Sequence, residues 1–262
     1  MVENTGFLLH DVHFAYGDKA ALRGVDLTLP LGRFYGVVGP NGCGKSTLLD
    51  VLMANRQPRQ GRVLLDGAAV GHHGRRQLAR QVALVPQDFA IPFAFTVLEV
   101  VLMGRHPYLP RFGTPTAADL DCAEQAMAAL GIAELRERSV TGLSGGEKQR
   151  VVVARALAQD TPILLLDEAT SNLDIRHTLE IFQVARERVR HGRTVIAVVH
   201  NLNLAAAYCD EMVFLDEGRV AAAGPTATTL TSTTIAEVFG VESRVARDDF
   251  CGTLQVSFRY GD

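Results

Sequence analysis

Phe34-Tyr35-Gly36-Val37-Val38-Gly39-Pro40-Asn41-Gly42-Cys43-Gly44-Lys45-Ser46 is the stretch that decides the fold. Its first part is almost wholly apolar and short, which predicts a strand buried on both faces in a parallel sheet. The rest fits G-x-x-x-x-G-K-[ST], and a helix is predicted to follow through about Met53. Glycines allow successive N–H groups to turn inward toward phosphate oxygens. The helix beginning near Lys45 adds the positive end of its dipole. The spacing therefore predicts a cradle for ATP made by Gly39, Pro40, Asn41, Gly42, Cys43, Gly44, Lys45, Ser46 and the adjoining Thr47. Lys45 is expected on the β- and γ-phosphates and the Ser46 hydroxyl on Mg²⁺. A glycine-rich turn before an ordinary helix is the plainer alternative. Cys43 is expected to be shielded by nucleotide and, with the loop empty, open to oxidation or alkylation as its pKa dictates.

A second apolar run, Ile163-Leu164-Leu165-Leu166, ends in Asp167-Glu168. Open α/β sheets place ligands beyond the carboxyl ends of their strands. Asp167 is expected to hold Mg²⁺, directly or through water, and Glu168 to polarise the attacking water. A strand ending in solvated acids is the alternative.

Around these two runs the chain alternates. Phe7 to Phe34 reads as short antiparallel strands broken by Gly17, Gly24, Pro30 and Gly32. Strands are predicted at Arg62 to Leu65, Val82 to Val85 and Thr194 to Val199. Helices are predicted at Thr96 to Met103, Ala117 to Leu130, Glu147 to Gln159, Ile175 to Arg190 and Leu202 to Cys209. Met212 to Leu215 and Arg219 to Ala223 read as a hairpin. The expected fold is α/β, a P-loop NTPase core with a mostly parallel sheet, an N-terminal antiparallel β subdomain and an inserted α-helical subdomain. The expected layout is one domain over 1–262: core at 7–94 and 141–241, helical subdomain at 95–140, and a C-terminal extension at 242–262.

Composition narrows the function. A chain of 262 residues, 47% apolar and 21% charged, can bury a sizeable core. The formal net charge is −3, so no global basic field points to nucleic acid. The N-terminus has no basic start before an apolar run, so no signal peptide is expected. Thr194 to Cys209 is too short and too polar for a membrane span. Four scattered cysteines without a CxxC pair suit a reducing compartment. His72-His73 reads as a solvated turn rather than a metal site.

Leu143-Ser144-Gly145-Gly146-Glu147-Lys148-Gln149-Arg150 places a serine and two glycines at the start of a long helix, a second anion-binding helix start. From these residues alone a glycine-rich cap without a ligand reads equally well. The segment resembles the signature sequence of ATP-binding cassette (ABC) transporter ATPases, and other motifs of that family follow in order along nearly the whole chain. Tyr16 is similar to the aromatic residue that stacks on adenine. Gln87 is similar to the glutamine that senses Mg²⁺ and the membrane partner. Ser171-Asn172-Leu173-Asp174 resembles the loop that communicates across the dimer, and His200 the switch histidine on the γ-phosphate. Each has a plainer reading too: Tyr16 as a half-buried strand residue, Gln87 as a turn residue, Asp174 as a helix cap, His200 as a structural strand end. Glu147 stands where many members have glutamine.

The resemblance implies a head-to-tail dimer. Each ATP then lies between one copy's Gly39–Ser46 loop and the other's Ser144, Gly145, Gly146 and Glu147. It implies integral membrane permease subunits received between Gln87 and the helical subdomain, a substrate-binding protein acting indirectly, and a peripheral place at the cytoplasmic face of the inner membrane. Met103-Gly104-Arg105-His106-Pro107-Tyr108 and the tail from Gly224-Pro225 to Val241 are similar to ATPases of iron-siderophore, haem and cobalamin importers. As bare chemistry Arg105 to Pro110 is a helix end and a proline-bounded turn. An importer ATPase for another cargo, or a soluble ABC ATPase, is the alternative. The long insertions and basic arms of the latter are not seen in the sequence.

Overall fold

The computed structural model describes residues 6–87, 89, 93–170 and 173–259; Ser171 and Asn172 of the expected dimer-communication loop lie outside them. The chain divides into two compact units, Met1–His73 with Ile196–Asp262, and Gly74–Val195.

The first unit opens with β1 (Gly6–Tyr16) and β2 (Lys19–Pro30), one long antiparallel hairpin rather than several short strands. Gly17 lies in its turn and Pro30 ends β2, as expected, while the break expected at Gly24 is absorbed as a register shift opposite Val12 and His13, because a bulge bends a strand without ending it. β3 (Phe34–Val38) is buried along its whole length and feeds α1 (Lys45–Leu52). β4 (Gln60–Leu65) pairs with β1, and β5 (Ala68–Ala69) with β4, giving an antiparallel sheet of order β2-β1-β4-β5. Alternation along β1 and β2 puts Phe7, Leu9, Leu22, Val25, Leu27 and Leu29 on its buried face.

The second unit contains α2 (Arg75–Leu78), β6 (Val82–Val85), α3 (Val97–Leu102), α4 (Ala117–Ala129), α5 (Gly145–Ala158), β7 (Ile163–Leu166) and α6 (Ile175–Arg190). α3, α4 and α5 each begin with a capping box, set by Thr96/Glu99, Thr116/Asp119 and Ser144/Glu147. They pack on one another through Val97, Val100, Val101, Ala123, Met127 and Val151. β6 and β7 run parallel with Val85 opposite Leu166, so the residues after both strands emerge at one edge.

β8 (Thr194–Val198) carries the chain back into the first unit. There follow α7 (Leu202–Tyr208), β9 (Glu211–Asp216), β10 (Arg219–Pro225), α8 (Thr226–Thr229) and α9 (Ser232–Phe239), then β11 (Ser243–Arg247) and β12 (Leu254–Phe258). β9 pairs parallel with β3 and antiparallel with β10, closing the expected hairpin around Asp216-Glu217-Gly218. α8 and the start of α9 occupy the threonine-rich stretch from Thr226 to Thr234. The fold is α/β, with a mostly parallel sheet and a separate antiparallel one. No described helix is long and apolar enough to cross a membrane.

Candidate functional site

In the first unit, the phosphate loop owes its shape to β9. Val38 lies opposite Phe214, so Gly39 comes level with Leu215. A Cβ on Gly39 would sit 2.1 Å from the Leu215 carbonyl oxygen, and one on Gly44 would sit 2.5 Å from that of Ala21. Both residues also have positive φ, 155° and 110°, so glycine is required at each on two counts. The turn after β9 braces the loop from outside: the Gly218 N–H donates to the Cys43 carbonyl at 2.9 Å. Sequence reading had given that turn no part in the site.

Lys45 is 5% exposed, and its Nζ donates to the carbonyls of Gly39 and Pro40 at 2.9 Å each. These two bonds seat the ammonium at the mouth of α1, where phosphate oxygens would replace the carbonyls. Thr47 is buried and Ser46 half-buried at the start of α1, while Asn41 and Gly42 are exposed. Cys43 is 5% exposed, and burial pushes its thiol pKa up despite the nearby Lys45. Burial and the raised pKa both lower the reactivity of this thiol in the empty loop.

Tyr16 ends β1 with its ring 45% exposed and its hydroxyl 3.5 Å from Thr47 Oγ1. Phe14 meets it edge-on at 4.9 Å. Arg56 holds its guanidinium 5.3 Å from the Tyr16 ring centre. An exposed ring beside α1 suits stacking on a base, and Arg56 adds a cation over it that no sequence signal announced. His200 follows β8 and is exposed; it directly precedes Asn201, the N-cap of α7.

In the second unit, β7 is fully buried and delivers Asp167, 9% exposed, at its end. The Asp167 N–H donates to the Val85 carbonyl at 2.9 Å. Glu168 has φ 49°, a left-handed conformation that turns its side chain out of the strand direction. Gln87, two residues beyond β6, donates from Nε2 to Glu168 Oε2 at 2.8 Å. The parallel register thus joins two predicted residues that lie far apart in sequence. Gln149 of α5 braces the same turn, its Nε2 donating to the Ala169 carbonyl at 2.9 Å. Its place in the signature segment was the available signal, though its partner was not.

At the start of α5, Ser144 Oγ accepts from the Glu147 N–H at 3.3 Å and donates to Glu147 Oε2 at 2.7 Å. The same carboxylate oxygen accepts from the Ser144 N–H at 2.8 Å. These bonds hold the Glu147 pKa below the usual carboxylate range. This helix start therefore already carries an anion of its own, with Gly145 exposed and Gly146 half-buried beside it. Asp174 caps α6 by accepting from the His177 N–H at 2.8 Å, as its plainer reading expected.

Arg105 to Pro110 is more than a turn. Arg105 donates from Nε to Asp119 Oδ1 and from Nη1 to the Ala158 carbonyl, both at 2.9 Å, and the pair is nearly buried. Tyr108 lies 4.1 Å from the Arg105 guanidinium and 5.2 Å from that of Arg80. Arg76 and Arg80 donate to the Pro107 carbonyl at 2.7 and 2.9 Å. Of the histidine pair expected in a solvated turn, His72 is exposed. His73 is half-buried, and its Nε2 is enclosed without a hydrogen-bond partner.

The fit to ATP rests on the loop. Its close-packed backbone leaves no room for side chains at Gly39 and Gly44, and its buried ammonium donates to the Gly39 and Pro40 carbonyls. Ser46 in the first unit, and separately Gln87 and Asp167 in the second, each carry an oxygen of the kind Mg²⁺ prefers. Among the described residues no cluster of three or more His, Cys, Asp or Glu could hold a metal alone. Mg²⁺ shared with phosphates needs no such cluster.

A sequence profile described as "ABC transporter" matches residues 22–171. The cobalamin import ATP-binding protein BtuD of Halobacterium salinarum is 43% identical over 251 residues, covering 95% of this chain and 59% of that protein. The chain thus spans under two thirds of that relative's length. The ferric enterobactin transport ATP-binding protein FepC of Escherichia coli is 38% identical over 239 residues, covering 91% of this chain and 88% of that one. Among solved structures, an inward-facing putative metal-chelate type ABC transporter superposes with a TM-score of 0.84 at 30% identity, covering 98% of each chain.

Proposed function

The chain belongs to the ABC transporter family, and from that premise we propose that it is the ATP-hydrolysing subunit of an importer for an iron chelate, haem or cobalamin-like cargo. The observation that carries the reading is the 2.8 Å bond between Gln87 and Glu168. It links the residue assigned to sensing the membrane partner with the residue assigned to the attacking water. The relatives named for cobalamin and ferric enterobactin transport support the cargo class.

Lys45 exchanges the Gly39 and Pro40 carbonyls for β- and γ-phosphate oxygens, and the loop N–H groups hold the rest of the polyphosphate. Tyr16 stacks on the base. Ser46, Asp167 and Gln87 are assigned to Mg²⁺, which when bound neutralises charge on the phosphates. Glu168 accepts a proton from the attacking water, and His200 contacts the γ-phosphate. Phosphoryl transfer needs mostly positioning and charge stabilisation, which this inventory supplies.

Two copies associate head to tail, and Ser144, Gly145 and Gly146 of one copy close over the nucleotide held by the other. Glu147 and Asp174 serve this closure as caps of the helices that present it. Residues 95–140 form the helical subdomain that meets the permease subunits, at the cytoplasmic face of the membrane, and a substrate-binding protein delivers the cargo. Glu168→Gln tests the assignment. ATP binding should persist while turnover falls by ~10²–10⁴-fold, and an ATP-bound dimer should accumulate in light scattering. Wild-type hydrolysis in that variant removes Glu168 from its role. Uptake of candidate chelates into vesicles carrying the membrane partner tests the cargo.

A further inference from the structure

The C-terminal hairpin has no part in the chemistry assigned above, yet it is bonded to the helix that begins beside His200. β11 and β12 pair with Val245 opposite Val256, and Val256 is 5% exposed. The Val256 N–H donates to Asn203 Oδ1 at 2.6 Å, and its carbonyl accepts from Asn203 Nδ2 at 3.3 Å. Both polar groups of Val256 therefore turn away from β11 and meet one planar amide. The Asn203 side chain stands in for the neighbouring strand that β12 lacks on that edge.

Asn203 is the second residue of α7. Its N–H and that of Leu204 donate to Oδ1 of the cap, Asn201, at 2.9 and 3.1 Å. His200 is the residue immediately before that cap. On its other side α7 rests against β3, where a Cβ on Gly36 would sit 2.9 Å from Cys209 Sγ and 3.6 Å from Ala205 Cβ. α7 is thus gripped between the strand that feeds the phosphate loop and the terminal hairpin. Helices shorter than about 12 residues are marginal alone, so a helix as short as Leu202–Tyr208 takes its position from these two contacts.

We propose that Asn203, anchored to Val256 of the hairpin, is a positioning residue that fixes the start of α7 and so aims His200. The proposal rests on the reading of His200 as the γ-phosphate contact. Without the amide clamp, α7 keeps its packing against β3 and β12 but loses the two hydrogen bonds that fix its first turn on the hairpin. The turn bearing His200 then samples orientations that bind ATP equally well but reach the γ-phosphate less often.

The test is steady-state ATPase kinetics on the full chain, together with ¹³C-edited NMR of the histidine rings. Asn203→Ala should lower kcat by about 3- to 30-fold, with KM for ATP within about twofold of wild type. Asn203→Asp keeps an acceptor for the Val256 N–H and should recover part of the loss. In a His200→Ala background, Asn203→Ala should add less than about twofold, as expected of residues acting through one group. The His200 ring resonances should move in Asn203→Ala while those of His10 and His13 stay in place. Unchanged kcat in Asn203→Ala, or a loss that multiplies with that of His200→Ala, overturns the inference. Loss in His200→Ala alone overturns the positioning role and leaves the reading of His200 standing; loss in neither variant overturns both.

Discussion

Inside the phosphate loop, the Cys43 thiol sits among Gly39, Lys45 and the Gly218 turn, and burial raises its pKa even though Lys45 pulls the other way. Only the thiolate is a strong nucleophile, so the thiol is protected by both access and protonation. Iodoacetamide at pH 7.5 should label the exposed Cys251 within minutes and leave Cys43 unlabelled, with or without nucleotide, as read by peptide mass spectrometry. Nucleotide-dependent labelling of Cys43 would contradict this. Residue identities at this scale could be read from sequence because the chemistry proposed for Gly39, Lys45, Asp167 and Glu168 is open to few other side chains. The environment of Cys43 could not be, because Leu215 and Gly218, which enclose the loop, lie far along the chain.

α3 and α4 were legible as elements from apolar spacing and α5 from its Ser144-Gly145-Gly146 start, and their bounds moved by only a residue or two at frayed ends. What ties them together was not legible. Asp119 is at once the N3 residue of the α4 capping box and the partner of Arg105, so one carboxylate fixes a helix start and a loop. Its pKa lies below the usual value, through the Thr116 N–H first, then Arg105 and the Thr116 hydroxyl. A depressed folded-state pKa contributes stability present above the unfolded value, near 3.9, and lost as pH falls through the folded one. Asp119→Ala strands Arg105 as a nearly buried charge and should cost about 3–5 kcal/mol at pH 7. In chemical denaturation the gap from wild type should narrow as pH falls below about 4, where the unfolded wild-type chain takes up a proton that the folded carboxylate still resists. A gap that stays constant from pH 7 to pH 3 would rule out the charged pair as its source. Arg105 to Pro110 is therefore a guanidinium-stapled loop, although its sequence reads as a turn.

Across the whole molecule, the alternating strands of the antiparallel sheet and the largely apolar strands β3, β7 and β8 carried the fold class in their patterns alone. The terminal hairpin escaped, because Arg244, Ala246 and Arg247 of β11 are exposed and Val256 is the fully buried residue of β12. Its stabilising partner is an amide on a helix more than fifty residues earlier, which no local periodicity reports. The contact between Gln87 and Glu168 escaped for the same reason, since it depends on β6 and β7 being neighbours.

The Lys45 ammonium, bonded to the carbonyls of its own loop, has a calorimetric consequence. A loop already folded around its cation gains a ligand by exchanging polar partners, and little apolar surface leaves water. Heat capacity follows apolar burial at about 0.45 cal/K/mol per Å². Capture of ATP by a chain that cannot close on its partner should therefore change heat capacity by no more than about −0.1 kcal/mol/K. Ser144→Arg, expected from the proposed dimer to block closure, should show that small value when titrated across 10–35 °C. Glu168→Gln, expected to close and stay closed, should give a value several-fold more negative. Equal values in the two variants would place the folding of the phosphate loop, rather than the meeting of two chains, at the moment of nucleotide capture.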